Sequence, residues 1–203
     1  MVTMMEKQRM GRRVRPIAIG LLATLLLGSC ALNRPAPVPA VYDLGPAPPR
    51  VAAVAGSTGA AGLSLAALEV TAPPWLAGPG LVYRLAYRDP LRRELYRDSR
   101  WAAAPAALLA ERLRQRAAAG TGTGTGTGRA VALRLELEAF EQVFVAPERS
   151  EVRVRLRAWT GEGKAGVFDL QRPAATPDAA GAVKALGEAS EELIGQLLAW
   201  AGG

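Results

Sequence analysis

The stretch VALRLELEAFEQVFVAPERSEVRVRLRAW, residues 131–159, decides the fold class, because apolar and polar residues alternate through most of it. A period of two is that of β-strands that bury one face and expose the other. A turn near residues 144–147 would join two such strands into an antiparallel hairpin. The residues expected on its buried face are Leu135, Leu137, Val154 and Leu156.

The charges of this hairpin would meet as opposite-sign pairs on the solvent face. The expected register places Glu138 opposite Arg153. Glu136 then lies opposite Arg155, and each such pair contributes roughly 0.2–1 kcal/mol. A basic stripe that binds nucleic acid is the alternative interpretation. The facing glutamates make it the weaker one, so no nucleic acid partner is expected.

Shorter strands precede and follow this hairpin. Residues 81–87 alternate in polarity, and Asp89-Pro90 is a turn signal after which residues 91–96 return as the second arm of another hairpin. Two single strands complete the predicted sheet, at residues 63–70 and 165–170.

Two helices are predicted from apolar residues spaced three and four apart. The first covers residues 102–119, with Pro105 in its first turn. Its water-facing residues are expected to be Glu111, Arg112, Arg114, Gln115 and Arg116. The second begins with Thr176 as N-cap and Pro177 as its first residue. The order of elements predicts an α/β protein of the α+β type: a two-layer sandwich in which two helices pack on one face of a mixed or antiparallel sheet.

The N-terminus has the layout of an export signal. Basic residues beginning with Lys7 precede an apolar segment, residues 17–27, that is too short to span a bilayer, and Gly28-Ser29-Cys30 follows. This pattern resembles the lipobox, and it predicts cleavage before Cys30 and attachment of acyl chains such as palmitate to that cysteine. An ordinary signal peptide or signal anchor with an incidental cysteine is the alternative.

The predicted organisation has three parts. Residues 1–29 are the lipoprotein signal, residues 30–62 are the lipidated cysteine and a flexible tether with a short strand at 41–45, and residues 63–203 are a single α/β domain. A Thr-Gly repeat at 121–128 is expected to be an exposed loop. Cleavage would leave 20 basic and 17 acidic residues, a net charge of +3. Much of the basic character therefore belongs to the signal.

The composition also excludes several kinds of active site. The chain has no histidine, which rules out Ser-His-Asp triads and imidazole metal ligands. Ser57 lies in the sequence GSTG, which is not the Gly-x-Ser-x-Gly elbow of hydrolases. A carboxylate pair could act instead, as in glycosidases, but the acids mostly adjoin arginines. We expect no enzyme, catalytic residue, metal or cofactor; a lipid-anchored hydrolase is the weaker alternative.

Five short motifs in one order carry a resemblance to a known family. They are YDLG at 42–45, VTAPPWL at 70–76, LVYR at 81–84, RWA at 100–102 and LEAFEQVF at 137–144. In this order they resemble the bacterial ABC-type transport auxiliary lipoproteins, the group that includes the paraquat-inducible protein C lipoprotein.

The resemblance implies a non-enzymatic accessory subunit on the periplasmic side of the envelope. Such proteins work with ABC transporters whose substrate-binding subunits carry MCE domains and which move phospholipid or other hydrophobic molecules between membranes. A homo-oligomer is a further expectation. The residues that match the family pattern and suit partner contact are Trp75, Leu76, Tyr83, Arg84, Arg100 and Trp101.

Three of these residues have a competing structural role. Tyr83 and Trp101 occupy places where a sheet would meet a helix, which favours core packing for both, whereas the two roles are balanced for Trp75. The membrane is inferred indirectly from the residue after Cys30. Lipoproteins that stay in the inner membrane usually have an aspartate at this position, and this chain has Ala31, which favours the outer membrane. A structural envelope lipoprotein that acts without a transporter remains the second functional hypothesis.

Overall fold

The computed structural model describes residues 38–46, 63–120 and 129–203. Within them, seven strands and two α-helices follow in chain order, with a short 3-10 helix at Pro74–Leu76. They are β1 (Ala40–Tyr42), β2 (Ser64–Thr71), β3 (Gly80–Leu85), β4 (Glu94–Trp101), α1 (Pro105–Gly120), β5 (Ala130–Ala146), β6 (Arg149–Thr160), β7 (Ala165–Pro173) and α2 (Ala179–Gly202). The predicted signal, Cys30, most of the tether and the Thr-Gly repeat lie outside the described residues.

One mixed sheet contains all seven described strands. Six of them follow in the order β1-β4-β3-β5-β6-β7, and β2 lies outside this order and pairs with β5. The long strand β5 pairs with β6 antiparallel along one edge. Its other edge pairs in parallel with β2 over its first half and with β3 over its second half. The two shorter strands therefore lie end to end along β5, and the 3-10 helix lies between them in the chain.

The predicted α+β class, with both helices on one face of a mixed sheet, is confirmed. The predicted hairpin of β3 and β4 and the single strand β7 are present. The apolar side of α2 packs on the sheet through Leu186, Leu193, Ile194 and Leu197, each at most 2% exposed. The predicted N-cap is wrong, because Asp178 takes that position and accepts a 2.8 Å hydrogen bond from the Gly181 amide, while the Thr176 hydroxyl only supports it by donating to Asp178.

The predicted register of β5 and β6 is wrong by two residues. The strands continue to Ala146 and from Arg149, so the turn is shorter and later than expected, and Glu136 faces Arg157. A bulge at Glu138 then shifts the pairing again, which places Arg153 opposite Glu141. Because a slip of two residues keeps each side chain on its face, the predicted core is confirmed: Leu135, Leu137, Val154 and Leu156 are all at most 3% exposed.

Arg112 was expected to face water, and the structure buries it to 5% exposure. Its guanidinium donates to Glu191 on α2 at 2.6 Å and to the carbonyls of Leu44, Gly45 and Pro46. Gly45 has a φ of +76°, a conformation that favours glycine, and this turns three successive carbonyls toward one arginine. The buried arginine therefore fixes the YDLG motif, which begins at the last residue of β1, against both helices.

Candidate docking surface

The open face of the sheet, the face opposite the helices, carries a ladder of ion pairs across β5, β6 and β7. Arg155 donates to Glu138 at 2.7 Å and to Asp169 at 3.1 Å. Arg153 also donates to Asp169, at 2.6 and 3.0 Å, and this hydrogen bonding lowers the pKa of the carboxyl. Since these arginines are paired with acids, they do not form the unbalanced basic stripe that nucleic acid binding needs.

Glu141 is the centre of the candidate site. It lies on β5 and is only 4% exposed, an unusual position for a carboxylate. Arg84 on β3 donates to both of its oxygens at 2.9 and 3.1 Å, and Arg93 donates to one of them at 3.1 Å. These groups line a concavity of about 390 Å³ on the open face.

Trp75 joins this arrangement through Arg93, whose guanidinium carbon lies 3.9 Å from the centroid of an indole ring. The 3-10 helix gives its two large residues opposite environments: Leu76 is 1% exposed, whereas Trp75 is 37% exposed. Leu76 thus anchors the turn in the core while Trp75 is presented to solvent. We refer to Trp75, Arg84, Arg93 and Glu141 as the Glu141 cluster.

The structure brings two of the six predicted contact residues together, Trp75 and Arg84. Leu76 and Trp101 are core residues, each 1% exposed, so neither is accessible to a partner. The ring of Trp101 packs 5.4 Å from that of Phe140. Arg100 is exposed on β4, in register with Val41 of β1, and makes none of the contacts of the cluster. The RWA motif therefore consists of two exposed residues, Arg100 and Ala102, and one core residue, Trp101.

Tyr83 is partly buried beside the cluster. Its hydroxyl donates to Glu94 at 2.8 Å, a hydrogen bond that raises the pKa of the phenol. Its ring packs 4.7 Å from Tyr96 and 5.9 Å from Phe144. Burial raises the pKa of Tyr96 to about 12. Tyr83 therefore supports β3 and β4 beneath the surface, the structural role that the sequence favoured.

Sequence reasoning missed Arg93 and Glu141. Arg93 follows a turn, where a charged residue is normally solvated and carries no signal. The burial of Glu141 could not be predicted from the alternation of polarity, because the bulge at Glu138 interrupts that alternation and leaves Ala139 and Phe140 both buried. Two successive apolar residues inside a strand of strict alternation were the available clue.

The described residues contain no group of three or more acidic or cysteine side chains that could hold a metal ion. None of the helices in these same segments is long and apolar enough to cross a membrane. In the Glu141 cluster both carboxylate oxygens already accept hydrogen bonds from arginine. The arrangement holds an aromatic side chain and two guanidinium groups rigidly at the surface, which suits binding.

These features define a small α+β domain with a preorganised aromatic and arginine surface on the open face of its sheet. The sequence profile of the family described as the ABC-type transport auxiliary lipoprotein component matches residues 42–197, and the chain belongs to this family. It is therefore an auxiliary component of ABC-type transport, a role that places it in the cell envelope.

Several solved structures share the fold, among them two crystal structures. One is the crystal structure of a Xanthomonas campestris protein of the family DUF330, with 16% identity and a TM-score of 0.59 over 80% of this chain and 90% of that one. The other is the crystal structure of an uncharacterized protein, with 14% identity and a TM-score of 0.55 over 79% of this chain and 97% of that one. At these identities the likeness concerns the fold alone. No curated protein matches the sequence significantly.

Proposed function

We propose that the chain is a non-enzymatic, lipid-anchored accessory subunit of an MCE-type ABC transport system for lipids or other hydrophobic molecules. Membership of the auxiliary lipoprotein family supports the accessory role. The signal pattern before Cys30 supports anchoring on the periplasmic face, and Ala31 favours the outer membrane.

The observation that carries the proposal is the exposed Trp75, which Arg93 contacts within the Glu141 cluster. Tryptophan and arginine dominate the energetics of protein interfaces, and a fixed aromatic loses little entropy when a partner covers it. The guanidinium of Arg93 has two contacts: it donates a hydrogen bond to Glu141, and it lies over the indole ring of Trp75. The cluster is therefore the surface that would contact the MCE subunit. Arg100, exposed on β4, is the remaining predicted contact and lies outside the cluster.

Co-purification tests the partnership. The full chain is expressed from its own genome with an affinity tag on the MCE subunit, and the envelope fraction is solubilised in mild detergent. The auxiliary chain should elute with the MCE subunit at a fixed ratio, and the mass of the eluted assembly reports whether it is a homo-oligomer. Stable membrane attachment without any association would favour a structural lipoprotein that acts without a transporter.

Mass spectrometry of the N-terminal peptide tests the anchor. The mature chain should begin at Cys30 and carry acyl chains, and Cys30→Ser should give an uncleaved precursor or an unacylated form. A wild-type N-terminus without lipid would contradict the anchoring proposal and leave the partnership to be judged by co-purification alone.

A further inference from the structure

The connection between β3 and β4, residues 86–93, which we call the hairpin tip, exposes an apolar side chain that the fold does not need. Leu91 is 86% exposed, and Tyr87 is 43% exposed. A large apolar residue this exposed on a turn contributes almost nothing to the core. It is a candidate for contact with something outside the domain.

Several hydrogen bonds hold the backbone of the hairpin tip. The Leu91 amide donates to the carboxylate of Asp89 at 3.0 Å, and the amides of Arg88 and Asp89 both donate to the Leu85 carbonyl at 2.9 Å. Arg84, a member of the Glu141 cluster, donates to the Pro90 carbonyl. The exposed leucine is therefore held in place by the same arginine that organises the docking surface.

The charges around the hairpin tip favour an anionic surface. Arg88 and Arg92 flank the apolar residue and are exposed. Asp89 keeps its negative charge while it accepts the Leu91 amide, and Glu94 pairs with Arg92 at 3.1 Å. Arg88 is thus the exposed guanidinium of the hairpin tip that has no acidic partner among the described residues. An exposed leucine and tyrosine between arginines is the composition of a segment that sits at the boundary of headgroups and acyl chains.

β1 runs parallel to β4, with Ala40 opposite Ser99. The N-terminal end of β1 therefore points toward the end of the sheet at which β4 begins, which is the end of the hairpin tip. Only seven residues lie between Cys30 and Val38, so an extended chain spans at most about 28 Å between them.

We propose that the hairpin tip contacts the phospholipid surface to which the chain is tethered, with Leu91 entering the headgroup region and Arg88 beside the phosphates. This inference rests on the proposed lipid anchor at Cys30. The anchor holds the protein at the membrane, and the hairpin tip sets its orientation. Because Arg84 links the hairpin tip to the Glu141 cluster, the contact also fixes the height of the docking surface above the membrane.

The test places a fluorescent, environment-sensitive amino acid at position 91. The matched control carries the same amino acid at position 162, where Glu162 is 69% exposed on the β6–β7 turn at the opposite end of the sheet. Each protein is anchored to vesicles of phosphatidylethanolamine and phosphatidylglycerol that contain a lipid with a quencher on its acyl chain. One set uses the naturally acylated chain, and a second set uses the chain from Cys30 onward coupled through its thiol to a maleimide lipid.

Quenching and a blue shift at position 91, several-fold stronger than at position 162, are expected in both sets. Equal quenching at both positions would overturn the proposal. So would shielding of position 91 that needs the MCE subunit and not the vesicle, because the hairpin tip would then be a protein contact. If mass spectrometry finds no acyl group, the anchoring proposal fails, and the maleimide-coupled set still decides whether the hairpin tip meets the membrane.

Discussion

The two ends of the open face carry the same kinds of residues in different states. At the hairpin end, Arg93 lies 3.9 Å from the ring of Trp75 and is bound to the buried Glu141. At the far end, Arg134 lies 5.8 Å from the ring of Trp159. The acid at the far end, Glu162, is 69% exposed.

This difference shows that a preorganised docking surface depends on burial of the carboxylate more than on the types of residue present. A buried acid strengthens its hydrogen bonds to arginine and fixes their geometry, whereas exposed pairs are screened and mobile. Both ends offer tryptophan and arginine, yet only the hairpin end holds them in one arrangement. Matched substitutions at the two ends should therefore have different effects.

Removing the central carboxylate should have the largest effect. Glu141→Ala leaves Arg84, whose side chain is 16% exposed, without its partner, and we expect a loss of about 3 kcal/mol in the free energy of unfolding. Glu162→Ala at the far end should cost under about 1 kcal/mol. Denaturant titration measures both. Similar costs for the two variants would remove the distinction between the ends.

Truncation of the two tryptophans should separate binding from stability. Trp75→Ala should weaken binding to the MCE subunit by about 2 kcal/mol, roughly 30-fold in Kd, because the anchor side chain is lost. Its thermal midpoint should change little, since the side chain is already 37% exposed. Trp159→Ala should leave Kd unchanged. A strongly lowered midpoint with unaltered binding would make Trp75 a structural residue.

Replacement of Arg93 by lysine should have a smaller effect on binding. Arg93→Lys keeps the charge and loses both the planar stack on Trp75 and the Nε donor to Glu141. We therefore expect the free energy of binding to weaken by about 1 kcal/mol, which raises Kd roughly fivefold. Arg134→Lys is the matched change at the far end and should have no effect. Equal effects would show that charge alone acts at both ends.

The ion-pair ladder between the two ends should show the smallest effect, as a dependence on pH. The hydrogen bond from Arg153 holds the pKa of Asp169 below its usual value, so its contribution to stability is complete above about pH 4 and is lost as the pH falls further. Asp169→Asn should reduce this loss, by under about 1 kcal/mol because the side chain is 29% exposed. Gln171→Asn on the same strand is the control. Identical acid unfolding of all three proteins would contradict the assignment.

The sequence predicted the layers of this fold because period and polarity are local properties. The alternation of β5 and β6 gave the correct buried face, since a register error of two residues does not change it. The bulge at Glu138 and the short turn were not visible, because both are settled by pairing between strands.

The buried charges could not be predicted for a related reason. Arg112 pairs with Glu191, and Arg84 pairs with Glu141, at separations of 79 and 57 residues. A charged residue on a helix or strand is normally solvated, and only a distant partner makes its burial favourable. The motifs therefore predicted two members of the Glu141 cluster, Trp75 and Arg84, and only the structure shows Arg93 and Glu141 beside them.

Photo-crosslinking in cells tests whether Trp75 touches the MCE subunit. A photoreactive amino acid replaces Trp75 in one full-length chain and Trp159 in another, each in cells that contain the complete transporter. We expect position 75 to crosslink to the MCE subunit and position 159 not to crosslink to it. Crosslinks from position 159, or none from position 75 while the two proteins co-purify, would show that the docking surface lies elsewhere.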